Sequence, residues 1–153
     1  MKNSEVYKTA VRILARRDYT RAELGQKLRI RGFSADLIAE ACETLIERGF
    51  LDDQRVAQNM LSAALSKTDL GSRRLAEQLY KRLLPRAVVE EVVASFLSQA
   101  DELSRATTMV ERFISLGLEK AAIERKLWQK GLPAAVVRAA FSDVNLDKNT
   151  EEG

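Results

Sequence analysis

Apolar residues recur every three to four positions along most of the chain, the spacing that lines one face of an α-helix. Val6, Ala10, Ile13 and Leu14 make the first stripe, over about 5–17. Leu24 and Leu28 make the second, and Ile38, Ala41, Cys42 and Leu45 the third. Val56, Ala57, Met60 and Ala64 predict a helix over about 53–66, and Ala106, Met109, Val110 and Phe113 one over about 101–116. No stretch alternates apolar and polar residues with the period of a strand. Turn and cap residues fall between the stripes. Thr20 with Glu23 three residues later reads as a capping box, Gly32 and Gly49 suit helix C-termini, and Asp52 or Asp53 caps the fourth helix with Leu51 as its staple. Breaks are predicted near 18–20, 32–34, 49–52, 67–72, 84–85, 117 and 131–133.

The stripes repeat. LGQKLRIRGFSADLIAEACETL from Leu24, LAEQLYKRLLPRAVVEEVVASF from Leu75 and IERKLWQKGLPAAVVRAAFSDV from Ile123 align without gaps. In this register Leu28, Leu79 and Leu127 are equivalent, 51 and 48 residues apart. Both prolines, Pro85 and Pro133, fall at the position of Ser34, and serine and proline share the role of starting a helix. With one further helix before each pair, the pattern predicts an all-α fold of three tandem three-helix repeats, 1–50, 51–99 and 100–144, followed by an acidic, flexible tail at 145–153. Short helical units bury their faces by stacking on neighbours, so the expected array is elongated and curved.

Composition narrows the chemistry. The 153 residues include no histidine and one cysteine. His-based nucleophilic or acid–base catalysis, His metal sites and Cys-ligated zinc are thereby excluded, and no metal or cofactor is expected. Neither GxGxxG nor GxxxxGK[ST] occurs. The chain therefore reads as a non-enzyme. Cys42 lies in an apolar helical pattern and is expected to be a small buried hydrophobe. Asp52 and Asp53 are better explained as caps than as metal ligands, and Trp128, beside Leu127, as a core residue rather than an exposed anchor. No apolar run reaches the roughly 20 residues of a membrane span, and MKNSEVYKTA lacks a signal-peptide core, so a cytoplasmic protein without a membrane partner is expected.

The net charge is +3, from 25 basic and 22 acidic residues. The segment 145–153 holds three acids and one lysine, which leaves the body with a basic excess. Such an excess is compatible with a polyanionic partner. Arg31, Arg82 and Lys130 share one repeat position, three residues after the aligned leucine. A row of cations there would track a periodic polyanion. A cation at a helix C-terminus also stabilises the macrodipole by about 0.3–1 kcal/mol, which explains the spacing without a partner. Arg16, Arg17, Arg21, Lys27 and Arg29 form one further cluster, and Arg73, Arg74, Lys81 and Arg82 another. Each is either a binding face or a solvated one. Three-helix units also serve free-standing DNA recognition, the alternative reading.

Three ordered stretches carry a family resemblance: ILARRDYTRAELGQKLRIRGFSADLIAEACETL, LIERGFLDDQRVAQNML and LGSRRLAEQLYKRLLP. Together they resemble the RecX family, over roughly 6–144. The sequence departs from the family pattern at Leu83, where a glycine is usual, and at Val56 and Ser66-Lys67, where an aromatic and an arginine are usual. The resemblance implies a regulator of RecA recombinase, most often an inhibitor. Such a protein lodges in the groove of the RecA–DNA filament, with single-stranded DNA in or beside it, and limits extension or promotes disassembly. It also implies a role in recombination, DNA repair and the SOS response, and a monomer is expected. Under that reading the candidate RecA- or DNA-binding surface is Arg16, Arg17, Arg21, Lys27, Arg29, Arg31, Arg73, Arg74, Lys81, Arg82 and Lys130.

Overall fold

The structure, a computed structural model, describes the backbone of residues 2–151 and the side chains of residues 3–145. Among them are nine helices and no strand: α1 (Lys2–Arg16), α2 (Arg21–Ile30), α3 (Ala35–Glu47), α4 (Asp53–Ser66), α5 (Ser72–Lys81), α6 (Arg86–Gln99), α7 (Glu102–Ser115), α8 (Lys120–Gln129) and α9 (Ala134–Glu151). The expected breaks fall between these elements. The acidic tail expected at 145–153 lies, for all side chains after Asn145 and for residues 152–153 entirely, outside the described residues.

The residues group into two compact units, one of Met1–Asn59 with Leu79–Val89 and one of Met60–Gln78 with Glu90–Gly153. In the first, α1, α2 and α3 enclose a core that includes Val6, Ala10, Leu24, Leu28, Cys42 and Leu45. In the second, α7, α8 and α9 enclose Ala106, Val110, Ile123, Leu127, Leu132 and Ala140. Leu28, Leu79 and Leu127 are all fully buried, the burial their shared repeat position predicts. Cys42 is buried, and loss of solvent pushes its thiol above the ordinary value. It is the small hydrophobe that its pattern predicts.

The caps are built as the sequence indicates. Thr20 Oγ1 accepts from the Glu23 amide at 3.2 Å, and the Glu23 carboxylate accepts from the Thr20 amide at 2.8 Å, a complete capping box. Ser34 caps α3. The two aspartates before α4 divide the work. Asp52 accepts from the Arg55 amide at 3.2 Å, while Asp53 accepts from the Arg21 amide at 2.8 Å and so satisfies a first-turn donor of α2.

The turn after each middle helix is left-handed. Gly32 has φ of 94° and Gly131 of 90°, and Leu83, their repeat equivalent, holds φ of 58°. A non-glycine residue pays about 1–2 kcal/mol for that conformation, so the fold retains the turn even where glycine is missing. One expectation fails. Trp128 is not a core residue; its side chain is 51% exposed. One position past Leu127 lies about 100° around the helix, which carries Trp128 off the buried stripe.

Candidate functional site

The last turns of α1 and α2 lie side by side in the first unit. They bring Arg12, Arg16, Lys27 and Arg31 around Tyr19 and Ile30 in a cleft of about 400 Å³ that, among the described residues, no carboxylate lines. Tyr19 draws two cations to its ring, Lys27 of this cleft and the neighbouring Arg17. The Arg17 guanidinium lies 4.4 Å and the Lys27 ammonium 5.0 Å from its ring centre, distances at which a cation is attracted to the aromatic face. Ile30 is 86% exposed at the rim. A second cleft sharing Tyr19, Lys27 and Ile30 adds Arg17 and Lys81, and also Glu23, with which Arg17 pairs at 3.7 Å. Among the described residues, Arg12, Arg16, Lys27 and Arg31 enter no ion pair. Their charge is therefore available to an external anion, with no described carboxylate to displace.

Other candidates are already engaged. Arg82 Nε donates to Glu23 Oε2 at 3.0 Å, and Arg82 Nη2 donates to the Asp18 carbonyl at 3.0 Å. Thr20 Oγ1 donates to the Arg82 carbonyl at 2.7 Å, so the start of α2 seats on the end of α5. Burial pushes the Glu23 carboxyl up, but hydrogen bonds from Arg82 and the Thr20 amide, with the charges of Arg82 and Arg17, hold it below its ordinary value. Arg82 thus joins elements of the fold. Arg21 and Arg29 stand on the other flank of α2, in a cleft with Asp53 and Pro85.

In the second unit the same seating recurs between α5 and α8. The Gly71 amide donates to the Lys130 carbonyl, and the Arg73 amide to the Gly131 carbonyl, both at 2.9 Å. The Arg73 guanidinium stacks 3.5 Å from the Trp128 ring centre, donates to the Trp128 carbonyl and pairs with Glu77 at 2.9 Å. Arg74 reaches Glu77 at 3.7 Å, and Lys130 pairs with Asp69 at 2.8 Å. That hydrogen bond from Lys130 holds the Asp69 carboxyl low, with burial opposing it. The row Arg31, Arg82, Lys130 therefore splits. Arg31 faces solvent in the cationic cleft, whereas Arg82 and Lys130 are tied to carboxylates of their own units.

Sequence reasoning passed over Arg12 and Tyr19. Arg12 sits four residues before Arg16 on the same helix face, a signal present in the sequence. It also passed over a groove of about 810 Å³ between α8 and α9, lined by Trp128, Phe141, Lys120, Arg125 and Arg138 among others. Among the described residues no group of three His, Cys, Asp or Glu side chains is placed to hold a metal ion, and no helix is long and apolar enough to cross a membrane.

The family profile described as RecX, first three-helix domain, matches residues 7–45, which span most of the cationic cleft. A regulatory protein RecX of Trichlorobacter lovleyi is 36% identical over 124 residues, 81% of this chain and 80% of that one. One from Halorhodospira halophila is 32% identical, over 94% of this chain and 89% of that one. The crystal structure of RecX from Lactobacillus salivarius has the same fold, with a TM-score of 0.78 at 19% identity, covering 95% of this chain and 97% of that one. With relatives above 30% identity along most of its length, the chain belongs to the RecX family of regulatory proteins.

Proposed function

We propose that this protein is a cytoplasmic regulator of RecA recombinase. As a monomer it binds the RecA–DNA filament and limits its extension or promotes its disassembly, without catalysis of its own. The observation that carries this reading is family membership, since relatives named regulatory protein RecX match across 81% and 94% of the chain. The cationic cleft of the first unit is the proposed contact. Its support is electrostatic: Arg12, Arg16, Lys27 and Arg31 carry charge that no described carboxylate offsets, and a filament coated on nucleic acid is a polyanion that such charge attracts. Arg73, Arg74, Arg82 and Lys130 contribute less in this proposal, because each already pairs with a carboxylate of the chain, Arg73 and Arg74 sharing Glu77. Arg21 and Arg29, across α2, form the flank of the contact.

RecA's ATPase on single-stranded DNA, followed with and without the protein, tests the function. Sub-stoichiometric protein should depress the steady-state rate, and Arg16→Gln combined with Arg31→Gln should restore most of it at the same concentration. An unchanged ATPase with the unsubstituted protein would overturn the proposal. Full inhibition by the double variant would remove the cleft from it.

A further inference from the structure

The groove between α8 and α9 has no part in the proposed filament contact, and its chemistry is different. Its wall carries Trp128, which is 51% exposed despite lying beside the fully buried Leu127. One face of the indole is covered by the Arg73 guanidinium at 3.5 Å, which also donates to the Trp128 carbonyl. Those contacts fix the ring, so little side-chain freedom is left to lose when something lies on its other face. Phe141 lines the same groove, with the Lys120 ammonium 5.4 Å from its ring centre. Lys120 is paired to Glu124 at 4.0 Å, but Arg125 and Arg138 are exposed and enter no ion pair among the described residues.

A fixed indole face together with arginines that enter no described ion pair fits one class of ligand, although Glu124 also lines the groove. A nucleobase has a π-face to lay on the indole, and the phosphates that flank it answer the two guanidiniums. Duplex DNA keeps its bases stacked inside the helix and cannot offer that face. An acidic peptide would answer the arginines but leave the aromatic surface without a stacking partner. We propose that the α8–α9 groove is a single-stranded nucleic-acid site, in which Trp128 stacks a base and Arg125 and Arg138 bind the adjacent phosphates. The site is independent of the filament reading. It concerns the second unit alone and needs no RecA.

Trp128 is the only tryptophan of the chain, so its fluorescence reports this groove and no other. The full-length protein is titrated with a short thymine oligonucleotide, with an abasic oligomer of equal length, with a duplex and with polyglutamate. Oligonucleotide anisotropy is recorded in parallel. Saturable quenching is expected with the thymine strand only. The abasic oligomer should bind roughly tenfold more weakly, as expected when base stacking is absent. Arg125→Gln with Arg138→Gln, both at exposed positions, should keep native helicity and weaken the quenching transition. The salt slope of its midpoint should flatten by about 0.7 for each arginine removed. Anisotropy showing a bound strand while Trp128 emission stays unchanged would place the strand elsewhere and overturn the proposal. So would quenching by polyglutamate at equal affinity, which would assign the groove to an acidic peptide, or the absence of strand binding altogether. None of these outcomes alters the ATPase test, so the two readings fail separately.

Discussion

Replacing Gly71 by alanine tests the seating of α5 on the turn between α8 and α9. A methyl group there would lie 2.4 Å from the Gly131 oxygen, 2.6 Å from the Gly131 carbonyl carbon and 2.7 Å from the Leu132 nitrogen. All three are backbone atoms, so no side chain can swing aside. The two segments must separate, and the hydrogen bonds from the Gly71 and Arg73 amides, each 2.9 Å long, are lost. Each is worth about 0.5–1.5 kcal/mol net, and about 1–3 kcal/mol if its partner is left buried and unsatisfied. The alanine also narrows the unfolded ensemble, a gain of about 0.4–1 kcal/mol. With both partners left buried, the balance is a loss of about 1–5 kcal/mol. Gly25→Ala is the control. That glycine is inside α2 with Ile38 Cγ2 as nearest neighbour at 3.8 Å, and a helix-interior alanine should gain roughly 0.5–1 kcal/mol. Urea unfolding read by helical circular dichroism and by Trp128 fluorescence measures both. If Gly71→Ala proves as stable as the unsubstituted protein, the close approach is wrong and so is the account of how α5 meets α8.

Three further outcomes follow from the fold. Leu28→Ala, Leu79→Ala and Leu127→Ala should each cost about 2–5 kcal/mol in the same urea assay, since all three are fully buried; near-neutral results at all three would undo the repeat alignment. Leu83→Gly exchanges about 1–2 kcal/mol of left-handed strain for about 0.4–1 kcal/mol of unfolded-chain entropy. It should therefore raise stability by about 0–1.6 kcal/mol, and a clear loss would mean that the leucine side chain is worth more than the strain. Finally, Glu23 is held below its ordinary 4.5 in the folded state, so it stabilises the fold while ionised, and that contribution disappears as pH falls below 4.5 through the folded value. Glu23→Gln should lower stability at neutral pH and flatten the loss on acidification. Parallel acid-unfolding curves for the two proteins would contradict this.

Local patterns in the sequence were enough to locate every helix, most caps and the equivalence of Leu28, Leu79 and Leu127, because each depends on neighbours within a turn or two. The candidate site was less legible. Arg82 and Arg31 occupy the same repeat position, yet one meets Glu23, 59 residues away, and the other faces solvent. Lys130 is neutralised by Asp69 across 61 residues. Whether a cation is available depends on such distant carboxylates, which helical periodicity does not encode. Trp128 failed differently. Adjacency to a buried leucine suggested core, but on a helix the neighbouring residue points away. Arg12 belonged to the cleft by its spacing from Arg16 and was read only as part of α1.

The central claim is that the assembled RecA filament, and not bare DNA, is the target. Competition at physiological salt tests it most directly. The protein is offered equal nucleotide concentrations of naked single-stranded DNA and of RecA-coated strand held as filament by a non-hydrolysable nucleotide. A basic excess as modest as a net +3 gives naked DNA a salt-sensitive hold at most, and any strand held at the α8–α9 groove is a local contact. The account predicts clear preference for the coated strand, with that preference reduced in the Arg16→Gln, Arg31→Gln variant. Equal or tighter binding to the naked strand would contradict it and identify the protein as a DNA-binding module that does not need RecA.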